Sequence, residues 1–315
     1  MSGVGRWDRT GRWGAYGAAL ALLPYLLIKM SWVVGSTLGV APIGEGFDLA
    51  GWVVLNTVTI GMAAIGIALS LALVRPWGMR MPGRLVAFCA WTGSGFLVSV
   101  LPYAVLSSML DAARGGPGGG DSGGGDAMPG WEAALVQFGF VGMGLGLSLA
   151  LPAYLLRRWP EALTRRVGQG HGALARGSAG TAAAVGLGWL YWALGGTVGI
   201  THPAERDTNW YLLSALGALW ALAGSAALWT LVRKRSARPR RLLPALGWLG
   251  SGSLFAWSGW KLAVTVLVAS AHPSDVIPPE NPTMAAALHL AAVAAGLGML
   301  RTLVHTPKEA LPEAT

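Results

Sequence analysis

The sequence predicts an all-α fold, a polytopic transmembrane helical bundle of eight spans built as two parallel four-helix repeats. Three observations carry this expectation. The 315 residues are 53% hydrophobic and only 12% charged, with a mean hydropathy of +0.52, outside the range of a soluble domain. Eight segments supply the roughly 20 mainly apolar residues that a helix needs to cross the hydrocarbon core. A stretch in the first segment, Trp32-Val33-Val34-Gly35-Ser36-Thr37-Leu38-Gly39-Val40, returns 160 residues later as Trp192-Ala193-Leu194-Gly195-Gly196-Thr197-Val198-Gly199-Ile200.

The spans are expected at 13–35, 51–74, 85–110, 131–156, 180–200, 209–232, 242–270 and 284–304. This divides the chain into a cytoplasmic N-terminal tail (1–12), a first repeat (13–156), a basic cytoplasmic linker (157–179), a second repeat (180–304) and a cytoplasmic C-terminal tail (305–315). Because the first segment carries one copy of the repeated stretch, it belongs to the fold and is not a signal peptide. It also holds Lys29, with Tyr25 four residues earlier on the same helix face. Both Gly35-x-x-x-Gly39 and Gly195-x-x-x-Gly199 have the spacing of small-xxx-small pairs that let two helices approach closely.

The second span contributes Asn56, Thr57 and Thr59, and the third contributes Tyr103 and the lone cysteine, Cys89. One cysteine leaves no disulfide within the chain and no multi-thiolate metal site. Trp91-Thr92-Gly93-Ser94-Gly95 in span three matches Trp248-Leu249-Gly250-Ser251-Gly252 in span seven. The glycine-rich stretch 115–125 has a G-x-G spacing but follows no strand, so it is expected to be a flexible external linker and not a phosphate cradle. Span four carries Gln137, and its Ala133-Ala134-Leu135 and Gly144-Leu145-Gly146 match Ala286-Ala287-Leu288 and Gly296-Leu297-Gly298 in span eight. Four spans per repeat bring both repeats into the membrane in the same orientation, related by an axis along the membrane normal.

The string Leu190-Tyr191-Trp192-Ala193-Leu194-Gly195-Gly196 resembles the opening motif, Tyr-Trp-Ala-x-Gly-Gly, of a family of small four-helix bacterial membrane proteins of unknown function. The resemblance implies two such units fused in tandem and brings no activity or catalytic residue with it. The first copy departs from the motif, with Ser31 where the Tyr stands and Ser36 where the second Gly stands.

Basic residues set the orientation, since loops rich in Lys and Arg stay cytoplasmic. Nineteen fall in the tails, in the loops after spans two, four and six and at the C-terminal end of span eight, against Arg114 and Arg206 on the opposite side. Both termini are therefore expected in the cytoplasm. The net charge of +9 is a topology signal and not a nucleic-acid footprint, because the basic residues fall between apolar segments. Arginine outnumbers lysine 19 to 4, which points to a high-GC bacterial genome and so to a multi-pass protein of the bacterial plasma membrane.

Polar side chains within the spans gather toward the external half, Lys29, Asn56, Tyr103, Gln137, Tyr191, Lys261 and His289 among them. Such groups are costly against lipid and face a bundle interior or a wet vestibule. Lys261 has Trp257 four residues earlier, as Lys29 has Tyr25, which suits a cation held against a ring. No carboxylate deep in a span can neutralise either lysine, and Asp48, Asp111 and Glu132 lie only at the external ends. The expected ligand-binding residues are thus Lys29, Lys261, Tyr25, Trp257, Asn56, Tyr103, Gln137 and Tyr191, around an externally open vestibule for an anionic lipid headgroup or small anion.

His202-Pro203-Ala204-Glu205 and His272-Pro273-Ser274-Asp275 share an H-P-x-acid pattern whose residue types suit a hydrated metal site, although helix capping explains the same pattern more simply. No cofactor is expected. The absence of H-E-x-x-H, G-x-S-x-G and a P-loop ranks an intramembrane enzyme last, behind a non-catalytic binding protein and a small-solute transporter or permease. The lipid bilayer is the expected partner, with no nucleic acid.

Overall fold

The computed structural model describes residues 3–41, 43, 48–113, 130–158, 172–233, 242–271 and 278–304. Among them run nine α-helices: α1 Gly3–Thr37, α2 Leu49–Ala72, α3 Pro76–Arg80, α4 Gly83–Ala113, α5 Gly130–Arg158, α6 Gly172–Ala193, α7 Thr208–Arg233, α8 Leu242–Ala271 and α9 Pro282–Val304. Six of these are long and apolar enough to cross a membrane: Asp8–Thr37 of α1, α2, Gly83–Ser107 of α4, Phe138–Leu155 of α5, α7 and α9. α6 falls outside that group because Gly, Ser, Trp and Arg176 stand where the others carry Leu, Val and Ile, and α8 is not among the six. Large apolar side chains remain open on the helices, with Leu20 and Ile65 both 67% exposed and Leu219 58% exposed. A surface of that kind is stable against lipid tails and not against water.

Several boundaries differ from expectation. α1 already starts at Gly3, so most of the expected tail 1–12 is helix, where Asp8 pairs with Arg12 one turn on and with Arg157 of α5 at 3.3 Å. α6 begins inside the expected linker 157–179. The short α3 has no periodicity to announce it. Pro76 stands at its N-terminus, and the Tyr154 hydroxyl and the Arg158 guanidinium donate to the Gly78 carbonyl at 3.0 and 3.1 Å. Arg157 and Arg158 thus neutralise carbonyls that the ends of α2 and α3 leave open. The glycine-rich stretch 115–125 lies outside the described residues.

The two glycine pairs do not act as helix-packing faces. Gly39 lies beyond the end of α1, and Gly195 and Gly199 beyond α6, all three with positive φ. Gly39 N–H donates to Ser36 and Val40 N–H to Gly35, while Gly195 N–H donates to Trp192 and Gly196 N–H to Tyr191. These are two Schellman turns, each with the glycine in the left-handed conformation that a Cβ disfavours. The same composition serves packing and capping, and here capping uses it.

The chain forms two compact units, residues 1–86 with 104–160 and residues 87–103 with 161–315. In the first, α1 packs along α2 and α5. Ala15, Leu73, Val86, Ala150 and Tyr154 form its main buried cluster. In the second, α6, α7, α8 and α9 close a ring in which each helix packs on the next and α9 returns to α6. The ring's core is mostly Ala and Trp, and small residues bring the backbones close enough for dispersion and hydrogen bonds to hold helices that lipid does not push together.

Residues 87–103 of α4, expected in the first repeat, belong to the second unit, where the two W-x-G-S-G copies meet. Trp91 Nε1 donates to Ser251 Oγ at 3.0 Å, and Trp248 Nε1 donates to Ser94 Oγ at 3.2 Å. The exchange is reciprocal, each tryptophan bonding the serine of the other copy. Between them the backbones of Gly95 and Gly252 touch, Ser99 and Ser253 share a 2.8 Å hydrogen bond, and the Trp91 and Phe255 rings stack at 4.8 Å.

Candidate functional site

Each unit holds a polar cluster near a lysine inside its apolar packing. In the first, Lys29 projects from α1 and donates to Asn56 Oδ1 of α2 at 3.0 Å. Asn56 is fully buried, and its Nδ2 donates to the Trp52 carbonyl at 2.8 Å, which fixes the amide so that its oxygen faces the lysine. The Lys29 ammonium lies 4.0 Å from the Trp32 ring centroid and 5.8 Å from that of Tyr25. Trp32 in turn stacks on Trp52 at 5.7 Å. The structure therefore brings together Lys29, Tyr25 and Asn56, three of the sequence candidates, and adds Trp32 as the nearer ring. Trp32 was legible as a repeat marker, and its position three residues after Lys29 is the signal that it shares that helix face.

In the second unit the cluster surrounds a cavity of about 30 Å³, room for about two water molecules. Its walls are Trp189 and Trp192 from α6, Trp210, Leu213, Ser214 and Gly217 from α7, Trp257 and Lys261 from α8, Glu280 from the segment before α9, and His289 from α9. Lys261 lies 5.8 Å from the Trp257 ring centroid, the aromatic partner expected from its i−4 spacing. Glu280 accepts a 2.5 Å hydrogen bond from Trp210 Nε1, and His289 Nδ1 sits 3.3 Å from Ser258 Oγ. Among the described residues no ion pair joins Lys261 to Glu280. A cation and a carboxylate thus line one small cavity.

The end of this unit is closed by two loops. Ile200 and Glu280 form an isolated antiparallel bridge, the N–H groups of Thr201 and His202 donate to the Pro279 carbonyl, and Asn281 N–H donates to Gly199. Glu280 is held at the cavity by this pairing. The Tyr191 hydroxyl accepts from the N–H groups of Thr197 and Val198, and Trp192 Nε1 donates to the Val198 carbonyl at 2.8 Å. Arg206 donates to the carbonyls of Gly195 and Gly196 at 3.3 and 3.0 Å. Every residue type of the Tyr-Trp-Ala-x-Gly-Gly string that bears a polar group or a special φ is therefore spent on the turn.

Neither a protein family, a curated protein nor a solved structure matches the chain. The geometry itself has to carry the functional reading.

The remaining candidates scatter. Tyr191 is 44% exposed and committed to the turn. Tyr103 is half-buried on α4 and is not part of the cavity wall. Gln137 falls on α5, with its side chain outside the described residues. Of the metal candidates, His202 Nδ1 lies 3.2 Å from the Pro278 carbonyl oxygen and Glu205 is exposed in a short 3-10 turn, Pro203–Glu205. His272 and Asp275 lie outside the described residues. Among the described residues no three His, Cys, Asp or Glu side chains gather to hold a metal. Sequence reasoning had singled out neither Glu280 nor His289 as a companion of Lys261, because that association depends on how α8, α9 and the loop fold together.

Proposed function

We propose that the chain is a non-catalytic integral membrane binding protein of the bacterial plasma membrane, and that its second unit binds an anionic group of a lipid headgroup or small solute at Lys261. The single observation behind this is a lysine ammonium on the wall of a cavity inside a helix ring whose core is mostly Ala and Trp. A lysine within a span costs about 2.5 to 3.5 kcal/mol, and an anion entering the cavity offsets that cost. In the purified protein, Lys261→Met should weaken a copurifying anion by about tenfold or more, the worth of a charged hydrogen bond, while leaving membrane insertion intact. Unchanged lipid and anion content by mass spectrometry would remove the basis for the reading.

In this reading α6 and α8 also span, for eight spans in all, and the two units are parallel four-helix repeats. Supporting the duplication are a pair of neighbouring Trp rings in each unit, Trp32 stacked on Trp52 and Trp192 tilted against Trp210, and an Asp48 and an Asp207 side chain that each accept the N–H three residues on. Both termini lie in the cytoplasm, following the basic loops. With Cys89 replaced by Ala, a cysteine at Ser122 should label with an impermeant thiol reagent on intact cells and one at Ser236 should not; the opposite pattern rejects the orientation.

A further inference from the structure

We infer that the second unit's cavity is a two-sided site for a zwitterion: a primary ammonium seats between the tryptophans and Glu280, and the ligand's phosphate or carboxylate pairs with Lys261. This rests on the binding reading above and gives it a ligand class. The argument begins from the repeat. Offsets of 160 in α1 and α6 and of 158 in α2 and α7 carry Lys29, Trp32, Trp52 and Asn56 onto Trp189, Trp192, Trp210 and Ser214. All four of the latter line the cavity. In the first unit the chain supplies its own ammonium, Lys29, against the face of Trp32 and the carbonyl of Asn56. In the second unit that lysine is replaced by an indole, the equivalent tryptophans remain, and a space is left beside them.

The second unit also places a carboxylate, Glu280, at the cavity. Glu280 is oriented by Trp210 Nε1, and the loop bridge between Ile200 and Glu280 keeps its backbone at the cavity. An aromatic wall with a carboxylate is the chemistry that recognises ammonium groups. Hydrogen bonding decides which ammonium: an –NH3+ group donates to the Glu280 carboxylate, whereas a trimethylammonium has no N–H to give. Lys261 on the same wall repels a simple amine, so the ligand must carry a negative group a few bonds from its ammonium. Phosphoethanolamine has this chemistry, whether as a free solute or as the headgroup of a phospholipid.

The test uses the full-length protein in nanodiscs of phosphatidylglycerol, titrated with phosphoethanolamine, phosphocholine and inorganic phosphate. Phosphoethanolamine should bind about tenfold more tightly than either of the others. Glu280→Gln keeps an acceptor for Trp210, so it should retain the fold and phosphate binding and lose the preference. Lys261→Met should lose all three probes. Repeating the titration in phosphatidylethanolamine nanodiscs separates the sources: the soluble probe is excluded where the lipid headgroup is the ligand, and binds as before where a free zwitterion is. Equal affinity for phosphoethanolamine and phosphocholine, or a preference that survives Glu280→Gln, overturns the zwitterion inference while leaving anion binding in place. Loss of sensitivity to Lys261→Met overturns both.

Discussion

Gly95→Leu should break the α4–α8 crossing and lower the stability of the purified protein by more than about 4 kcal/mol. A Cβ on Gly95 would overlap the Gly252 carbonyl, and one on Gly252 would come 2.6 Å from the Trp91 carbonyl oxygen, so backbone stands on both sides of the contact with no flexible side chain to yield. Parting the helices far enough for a Leu also parts the reciprocal Trp91–Ser251 and Trp248–Ser94 hydrogen bonds and the Ser99–Ser253 pair. Trp91 is fully buried, and an indole N–H stranded there costs about 1 to 3 kcal/mol beyond the overpacking itself. Gly93, two residues away in the same motif, is the control. Nothing lies within 4 Å of a Cβ built on it, so Gly93→Ala should be neutral, or stabilising by the roughly 0.5 to 1 kcal/mol that a mid-helix glycine costs. Thermal unfolding in detergent reads both. A Gly95→Leu midpoint within about 2 °C of the wild type would mean that the crossing contributes nothing to the native state.

The membrane helices were legible because a span is a property of a contiguous run, and α2, α7 and α9 lie within two residues of their expected limits. What depends on a second element was not legible. Lys29 was paired with Tyr25 by the i−4 rule, yet Trp32 at i+3 is the closer ring, and the partner that orients the ammonium, Asn56, comes from another helix. Gly35 to Gly39 and Gly195 to Gly199 fit a packing pair and a helix stop equally well by composition. Only the position of the last helical hydrogen bonds, near Thr37 and Ala193, separates the two. For the cavity, the repeat offset contained a usable signal: carrying Asn56 and Lys29 forward lands on Ser214 and Trp189. No matched motif pair extends to Glu280, so nothing in the sequence pointed from Lys261 to it.

The Lys29–Asn56 pair yields the second large effect, and its sign separates a structural cation from a ligand-binding one. Asn56→Leu takes away the oxygen 3.0 Å from the ammonium and leaves a positive charge in an apolar bundle, at a cost of about 2 to 4 kcal/mol. Lys29→Met alone removes that charge together with the hydrogen bond, so the two terms offset and the change should stay near about 1 kcal/mol. The double variant then holds two apolar side chains where a polar pair stood, and should recover most of what Asn56→Leu lost, since replacing both partners of a buried interaction is far cheaper than replacing one. A double-mutant cycle on the unfolding free energies should return a coupling of about 1.5 to 3 kcal/mol, against less than about 0.5 for independent sites. The same Lys29→Met protein should keep its copurifying anion, because this ammonium already has its oxygen and its aromatic face, whereas Lys261→Met should lose it. An additive cycle, with the anion lost on Lys29→Met, would reverse the assignment and make the first unit the binding unit.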